Sequence, residues 1–366
     1  MFAIQDFILF CVVFASFVAG ILFPRFGTLF QPFILIFLMA ILFLSFLTIR
    51  QEDIRRLFRD QGRAVLWLSF LKLIAFPIGV YLLFRIFLPS YAPAALLLAG
   101  VSTGVIAPFI STLVSANAPL VLVIVVITSI LLPFTLPLLV KLLLGQTMEI
   151  SLLVMIRMLA LVIFIPVAAV LAVQRFIPEV VRPILKARYV ISLMIFAGIN
   201  MGVFSQYSDF FYRNPGIILE ATGVSILLGG IFLVLGFFAL GKASVEDRLA
   251  AAISMVNINN VLVLVFAARF FGPLESTVAA MYLIPFYGLI VPMRIFQYRR
   301  RNQKAPGDPP QRGPGPGRDL RGAQCTVRGA SRRAPAAARY RPSACIYEDW
   351  EPLFALLARR KRLEIG

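Results

Sequence analysis

The stretch STGVIAPFISTLVSANAP, Ser102–Pro119, decides how this chain is read. Its surroundings are apolar enough for a membrane helix, yet Pro108 sits near its middle. A proline there removes a backbone donor and crowds the preceding turn, so a continuous helix is excluded. Ser102, Thr103, Gly104, Ser111, Thr112 and Asn117 surround the proline at a depth where lipid tolerates few polar groups. Irregular backbone survives in a bilayer only when it is buried in protein or lines a water-filled cavity. A second interrupted run, Ser254–Asn260 (SMVNINN), lies in the other half of the chain. One broken helix per half is the sequence pointer to a transporter's binding site.

Composition agrees with a membrane setting. Of 366 residues, 60% are hydrophobic and 14% charged, and the mean hydropathy is +0.91. No soluble domain hides that much apolar surface. Histidine is absent, which removes the commonest metal ligand and the usual acid–base residue. Cys11, Cys325 and Cys345 match no metal or redox spacing. No nucleophile–base pairing or phosphate-cradling glycine motif is visible, so the sequence implies neither catalysis nor a cofactor. The amino terminus lacks a basic region and a small-residue cleavage site, and reads as a retained first helix.

Ten apolar segments are marked: 4–23, 30–48, 64–87, 93–115, 118–144, 151–173, 189–206, 216–240, 247–271 and 275–296. Each approaches or exceeds the ~20 residues that cross the hydrocarbon core as a helix. Basic residues follow the even-numbered segments: Arg50, Arg55, Arg56, Arg59 and Arg63; Arg175, Arg182, Lys186 and Arg188; Lys242 and Arg248; then Arg299, Arg300 and Arg301. Positive-inside bias puts both termini in the cytoplasm, in a plasma or inner membrane. The net charge of +18 does not imply nucleic acid, because residues 300–366 alone hold 15 basic against 6 acidic residues. Much of the remaining charge flanks membrane segments.

The halves repeat weakly. Arg25-Phe26 with Pro32 returns as Arg175-Phe176 with Pro183, Leu132-Pro133-Phe134 as Ile284-Pro285-Phe286, and Pro108 meets Asn260, all at offsets of 150 to 152. Five spans per repeat make the second copy enter from the opposite side, an inverted-repeat architecture. After about residue 300 the chain becomes rich in Gly, Pro, Arg and Ala, and Lys304–Pro342 is expected to be disordered. Glu348–Ile365 fits a short amphipathic helix on an anionic membrane surface; a tail without a role, or one produced by a frameshift, is the alternative.

Lys72, in SFLKLIAFP, is the most informative single residue. A lysine well inside a span costs ~2.5–3.5 kcal/mol on insertion scales and normally faces the bundle interior with a partner or a site. Snorkelling to an interface is the alternative. Asn257, Asn259 and Asn260 put three amides in one turn, to hydrogen-bond a solute, an ion or the freed carbonyls of a broken helix. Arg157 is read as lying near the membrane boundary beside Glu149, and Asn200 as a helix–helix hydrogen bond. Glu220, Glu246, Asp247 and Glu275 all fall at span ends. A cation pump or proton relay needs a buried carboxylate, so an anionic or polar solute is favoured.

These features resemble the bile acid:sodium symporter family, within the wider bile acid, arsenite and auxin-type carrier group. The likeness runs over residues 1–296, through FLSFLTI and DIRRLFR, KLIAFP, SANAPL leading into TSILLPFTLP, and RLAAAISMVNINNVL. It implies ten transmembrane helices, with a panel domain (spans 1, 2, 6 and 7), a core domain (spans 3–5 and 8–10) and discontinuous, crossed spans 4 and 9. Members use two sodium ions near the crossing to drive uptake of an organic anion. Here the sodium-site positions are largely replaced. Ala107 and Pro108 stand for a Ser-Asn pair, Val121 and Val125 for hydroxyls, Ser254 for a glutamate, Ile258 for a glutamine and Lys72 for another glutamine. Asn259 keeps a residue that looks like a substrate contact.

The expectation is therefore an all-α, ten-helix secondary transporter in residues 1–296, followed by a basic tail in 297–366. Its solute is an organic anion, bile-acid-like or another small carboxylate or sulfonate. Lys72, Ser102, Thr103, Pro108, Ser111, Thr112, Asn257, Asn259 and Asn260 are its candidate contacts, and sodium or a proton is the candidate coupling ion. An auxin-type or arsenite-type efflux carrier, and a non-transporting membrane sensor with an interaction tail, are the other readings.

Overall fold

Long apolar runs dictate helices, since lipid offers no partner to an open backbone. The computed structural model describes the backbone of residues 4–47, 51–145 and 151–304, and side chains within these bounds except for 4–10, 51–60, 298 and 300–304. Glu149, the tail beyond residue 304 with Cys325 and Cys345, and the side chains of Arg55, Arg56 and Arg59 lie outside the described residues.

Twelve helical stretches matter for the site. They are α1 (Ile4–Leu22), α2 (Pro24–Phe46), α3 (Gln61–Phe87), α4 (Ala92–Gly100) and α5 (Ala107–Leu113). Then come α6 (Ala118–Leu144), α7 (Leu152–Phe176), α8 (Pro178–Ser205) and α9 (Ile217–Phe238). The last are α10 (Val245–Val256), α11 (Asn260–Phe270) and α12 (Pro273–Gln297). Seven of them, α2, α3, α6, α7, α8, α9 and α12, are long and apolar enough to cross a membrane. Large apolar side chains such as Ile86, Leu142, Leu153, Phe176, Met194 and Leu219 point outward. The protein is an all-helical integral membrane protein, and no strand occurs among the described residues.

The helices pack in two sets. In the first, α8 lies along α1 and α2, and α2 also packs on α7. Asn200 fastens this set, donating to the Val13 carbonyl and to Ser16 Oγ, both at 3.2 Å. This is the interhelical role expected of it. In the second set α3 packs on α4 and α6, α9 on α10 and α12, and α11 on α12. The sets meet where α6 lies on α7 and where α11 touches α2 and α8.

Small residues make the centre of the second set dense. Every residue of α4 except Pro93 is buried, as is α10 from Leu249 onward. Runs such as Ala250-Ala251-Ala252 let backbones approach closely. Acidic residues stay at helix starts as expected: Glu220, Glu246, Asp247 and Glu275 all lie in first turns, where the helix dipole favours them. Arg157 is exposed near the start of α7, in keeping with a boundary position.

Candidate functional site

Both interruptions exist, and they face each other. Between α4 and α5 the chain leaves the helix at Val101, which is extended at φ −71°, ψ 156°. Between α10 and α11 it leaves at Asn257 and re-enters at Asn260. The loose segments pair as an isolated antiparallel bridge, Thr103 with Ile258. Gly104 N donates to the Asn257 carbonyl at 2.7 Å, and Asn259 N to the Ser102 carbonyl at 2.9 Å. Each break therefore supplies the partners the other lacks, where lipid supplies none. A Cβ on Gly104 would lie 2.6 Å from the Ile258 carbonyl oxygen, so only glycine permits this approach.

The sequence reading needs one correction here. Pro108 does not break the helix at its own position; it sits in the first turn of α5, after a break running from Val101 to Ile106. In a first turn the missing N–H has no helical acceptor to lose, so proline starts the second half-helix. In space the breaks pair a few residues earlier, Thr103 with Ile258.

The predicted polar residues divide by their surroundings. Thr103 Oγ1 donates to the Ser254 carbonyl at 2.8 Å. Ser111 and Thr112 donate to carbonyls of their own helix, Ala107 and Phe109, and Thr112 is exposed. The side-chain oxygen of Asn259 caps α11 by accepting from Leu262 N at 3.3 Å. The structure therefore gives Asn259 a capping role at the crossing. Asn257 Nδ2 donates to the Phe286 carbonyl at 3.0 Å. Ser102 Oγ, Asn257 Oδ1 and both amide atoms of Asn260 are buried without a hydrogen-bond partner among the described residues. Such groups cost free energy unless something occupies the space beside them. Ala107, Val121, Val125 and Ile258 are apolar and fully buried, and Ser254 Oγ is spent on the Ala250 carbonyl.

Lys72 does not snorkel. Its side chain is 1% exposed, and it lies in a π-helical turn, Leu71–Ala75, within α3. Such widened turns concentrate at functional sites. Nζ donates to the Ala99 carbonyl at 3.0 Å and stands 5.7 Å from the ring centre of Phe232. Ala99 belongs to the last turn of α4, the carbonyl end of a half-helix, where partial negative charge accumulates. The matching end of α10 is treated differently. The Val256 carbonyl accepts from the Tyr282 hydroxyl at 2.9 Å, and the Ser254 carbonyl from Thr103. One half-helix end thus meets the lysine amine and the other meets neutral hydroxyls.

Sequence reasoning missed three contributors. Thr128 Oγ1 accepts from Thr103 N at 3.2 Å while bonding the Ile124 carbonyl; it lies inside TSILLPFTLP, whose apolar character hid it. Phe232 is one of 34 phenylalanines. The Ala99 carbonyl is backbone, which no side-chain pattern marks.

Each end of the crossing is tied. At one, Asn117 caps α6 through Leu120 N, and its Nδ2 donates to Asp247 Oδ1 at 2.7 Å and to Gln61 Oε1 at 3.3 Å. At the other, the Tyr91 hydroxyl donates to Glu220 Oε2 at 2.9 Å. Burial, then the hydrogen bond and charge of Glu220, push the Tyr91 phenol up to about 12, so it remains a donor at physiological pH.

The sodium bile acid symporter family matches residues 34–213, which include Lys72 and the first break. YocS, an uncharacterized sodium-dependent transporter of Bacillus subtilis (strain 168), is 28% identical over 291 residues, covering 77% of this chain and 88% of its own. The family is one of symporters and YocS is named as a transporter; neither is an enzyme. By these matches the chain is a membrane transporter that is similar, over residues 34–213, to the sodium bile acid symporter family.

Proposed function

We propose that the chain is a secondary transporter that moves an organic anion by alternating access. Ten spans form two inverted five-helix repeats in residues 1–296. The set built on α1, α2, α7 and α8 is the panel, and the helices around the crossing are the core. The solute binds beside the crossing, where Asn260, Asn257 and Ser102 hold unpaired polar atoms, under the positive charge of Lys72. The tail from residue 297 is not needed for transport.

One observation carries this reading: the Lys72 ammonium sits on the carbonyl end of a half-helix, a place suited to a cation. A tethered ammonium supplies the charge a bound ion would bring. Apolar side chains fill Ala107, Val121, Val125 and Ile258, leaving few oxygen ligands for a hard cation. Coupling through the usual two sodium sites is therefore not expected.

A second reading has its own support, because YocS is named as sodium-dependent. Uptake by reconstituted vesicles, with sodium replaced by choline, separates the two. Uptake that persists in choline supports the tethered charge; a strict sodium requirement refutes it. Lys72→Gln is expected to weaken anion binding by about tenfold, the scale of one charged hydrogen bond. Unchanged affinity counts against the ammonium.

A further inference from the structure

Away from the crossing, a cavity of about 600 Å³ opens between α3 and the turn that joins α9 to α10. Gln61, Gly62, Arg63, Leu240 and Asp247 are among its walls. It lies at the end of the bundle where Arg63, Lys242 and Arg248 gather. Its acidic wall is already occupied: Asp247 Oδ1 accepts from Asn117 and Oδ2 from Ser244 Oγ, at 2.7 and 2.8 Å. Arg248 is held by the Phe237 carbonyl and stacks 4.1 Å from the Phe237 ring. Arg63 is exposed and has no ion pair or hydrogen bond among the described residues. Nothing lies within 4 Å of a Cβ placed on Gly62, so the floor beside Arg63 is open.

Below Arg63, toward the bilayer centre, the same face of α3 turns apolar. Leu66, Trp67 and Phe70 are 57%, 50% and 48% exposed, at helical spacing from Arg63. Trp67 Nε1 donates to the Ala239 carbonyl at 3.1 Å. An indole so placed marks the membrane–water boundary and joins α3 to the end of α9. On α9, Leu235 and Phe238 are also exposed. A cavity walled by Arg63 and Asp247 thus stands next to the exposed apolar side chains of Leu66, Trp67 and Phe70 on α3.

We propose that this cleft binds one anionic phospholipid, its phosphate on Arg63 and an acyl chain along Leu66, Trp67 and Phe70. A basic pocket between spans at the membrane boundary is suited to a lipid headgroup. A planar guanidinium holds phosphate oxygens in pairs. The apolar seam selects the lipid over a soluble phosphate. This inference does not depend on what the crossing transports.

Native mass spectrometry of the full chain, released from nanodiscs of mixed phosphatidylcholine and phosphatidylglycerol, tests it. The expected result is preferential retention of phosphatidylglycerol, weakened about tenfold by Arg63→Gln, as for loss of one charged hydrogen bond. Gly62→Leu, which fills the cavity and leaves the charge, should cause a similar loss; it keeps the test standing if Arg63→Gln does not purify. Equal retention of both lipids, or unchanged retention in the variants, overturns the proposal. A competition arm with glycerol 3-phosphate decides the source: displacement of the lipid at equal concentration overturns the acyl-chain groove.

Discussion

Gly104 and Ile258 meet backbone to backbone across the crossing, with no room for a single added methyl group between them. The two residues lie in different halves of the chain. Their approach makes possible the hydrogen bonds that close both breaks.

Gly104→Ala is therefore expected to destabilise the protein by about 1–3 kcal/mol, the range for overpacking a tight site. The obstacle is a carbonyl oxygen, which cannot rotate away as a side chain does. Gly79, also in a span, has nothing within 4 Å of its Cβ position. Gly79→Ala should be neutral or stabilising by roughly 0.5–1 kcal/mol. Thermal melting of the two variants in detergent checks the contrast, and equal melting temperatures contradict it.

Lys72→Met separates folding from function. Replacing a buried charge by an apolar side chain of similar length is often neutral or stabilising. The Ala99 carbonyl then loses its donor, at about 1–3 kcal/mol. The variant should therefore purify folded, with anion uptake reduced by about tenfold or more. Uptake at the parental level shows that the ammonium serves structure alone.

Asn260 buries both of its amide atoms without a hydrogen-bond partner among the described residues. Asn260→Leu removes two donors and an acceptor from an apolar setting, and should raise stability by roughly 1 kcal/mol. If those atoms meet the solute, the same change lowers uptake sharply. A variant both more stable and fully active places the solute elsewhere.

Asn117→Asp keeps the capping oxygen but turns the donor facing Asp247 into a second carboxylate. Like charges at hydrogen-bond distance hold one proton in the folded state, so the pair's folded pKa rises above its unfolded value. Stability is then present below the ordinary carboxylate range and falls as pH rises through the raised value. Melting temperatures from pH 4 to pH 8 should fall for the variant relative to the parent. Parallel curves rule out the contact.

Much of this was legible in the residues themselves. Apolar length announced seven helices long enough to cross a membrane, and polar residues in two further apolar segments announced both breaks. Lys72 stood out because a charge in lipid is costly, and it is indeed buried. The exact break was harder to read. Proline signals where a helix can begin as strongly as where it must end, and at Pro108 the first meaning applies. The decisive residue was Gly104, whose need for close approach depends on a segment about 150 residues away. The resemblance marked Asn259 as a substrate contact; its side-chain oxygen caps α11, a role that the same amide chemistry serves. The carbonyl under Lys72 leaves no mark in any side-chain pattern.

The bridge from Thr103 to Ile258 bears on how the protein is made. Ribosomal synthesis delivers α4 and α5 to the membrane well before α10 and α11 exist. In that interval the Gly104 amide and the Ser102 carbonyl have no permanent partner in lipid. The nascent first half must shelter them with water or with insertion machinery until the later segment arrives. A chain stopped before residue 245 should therefore be recognised and degraded, however well its own spans insert.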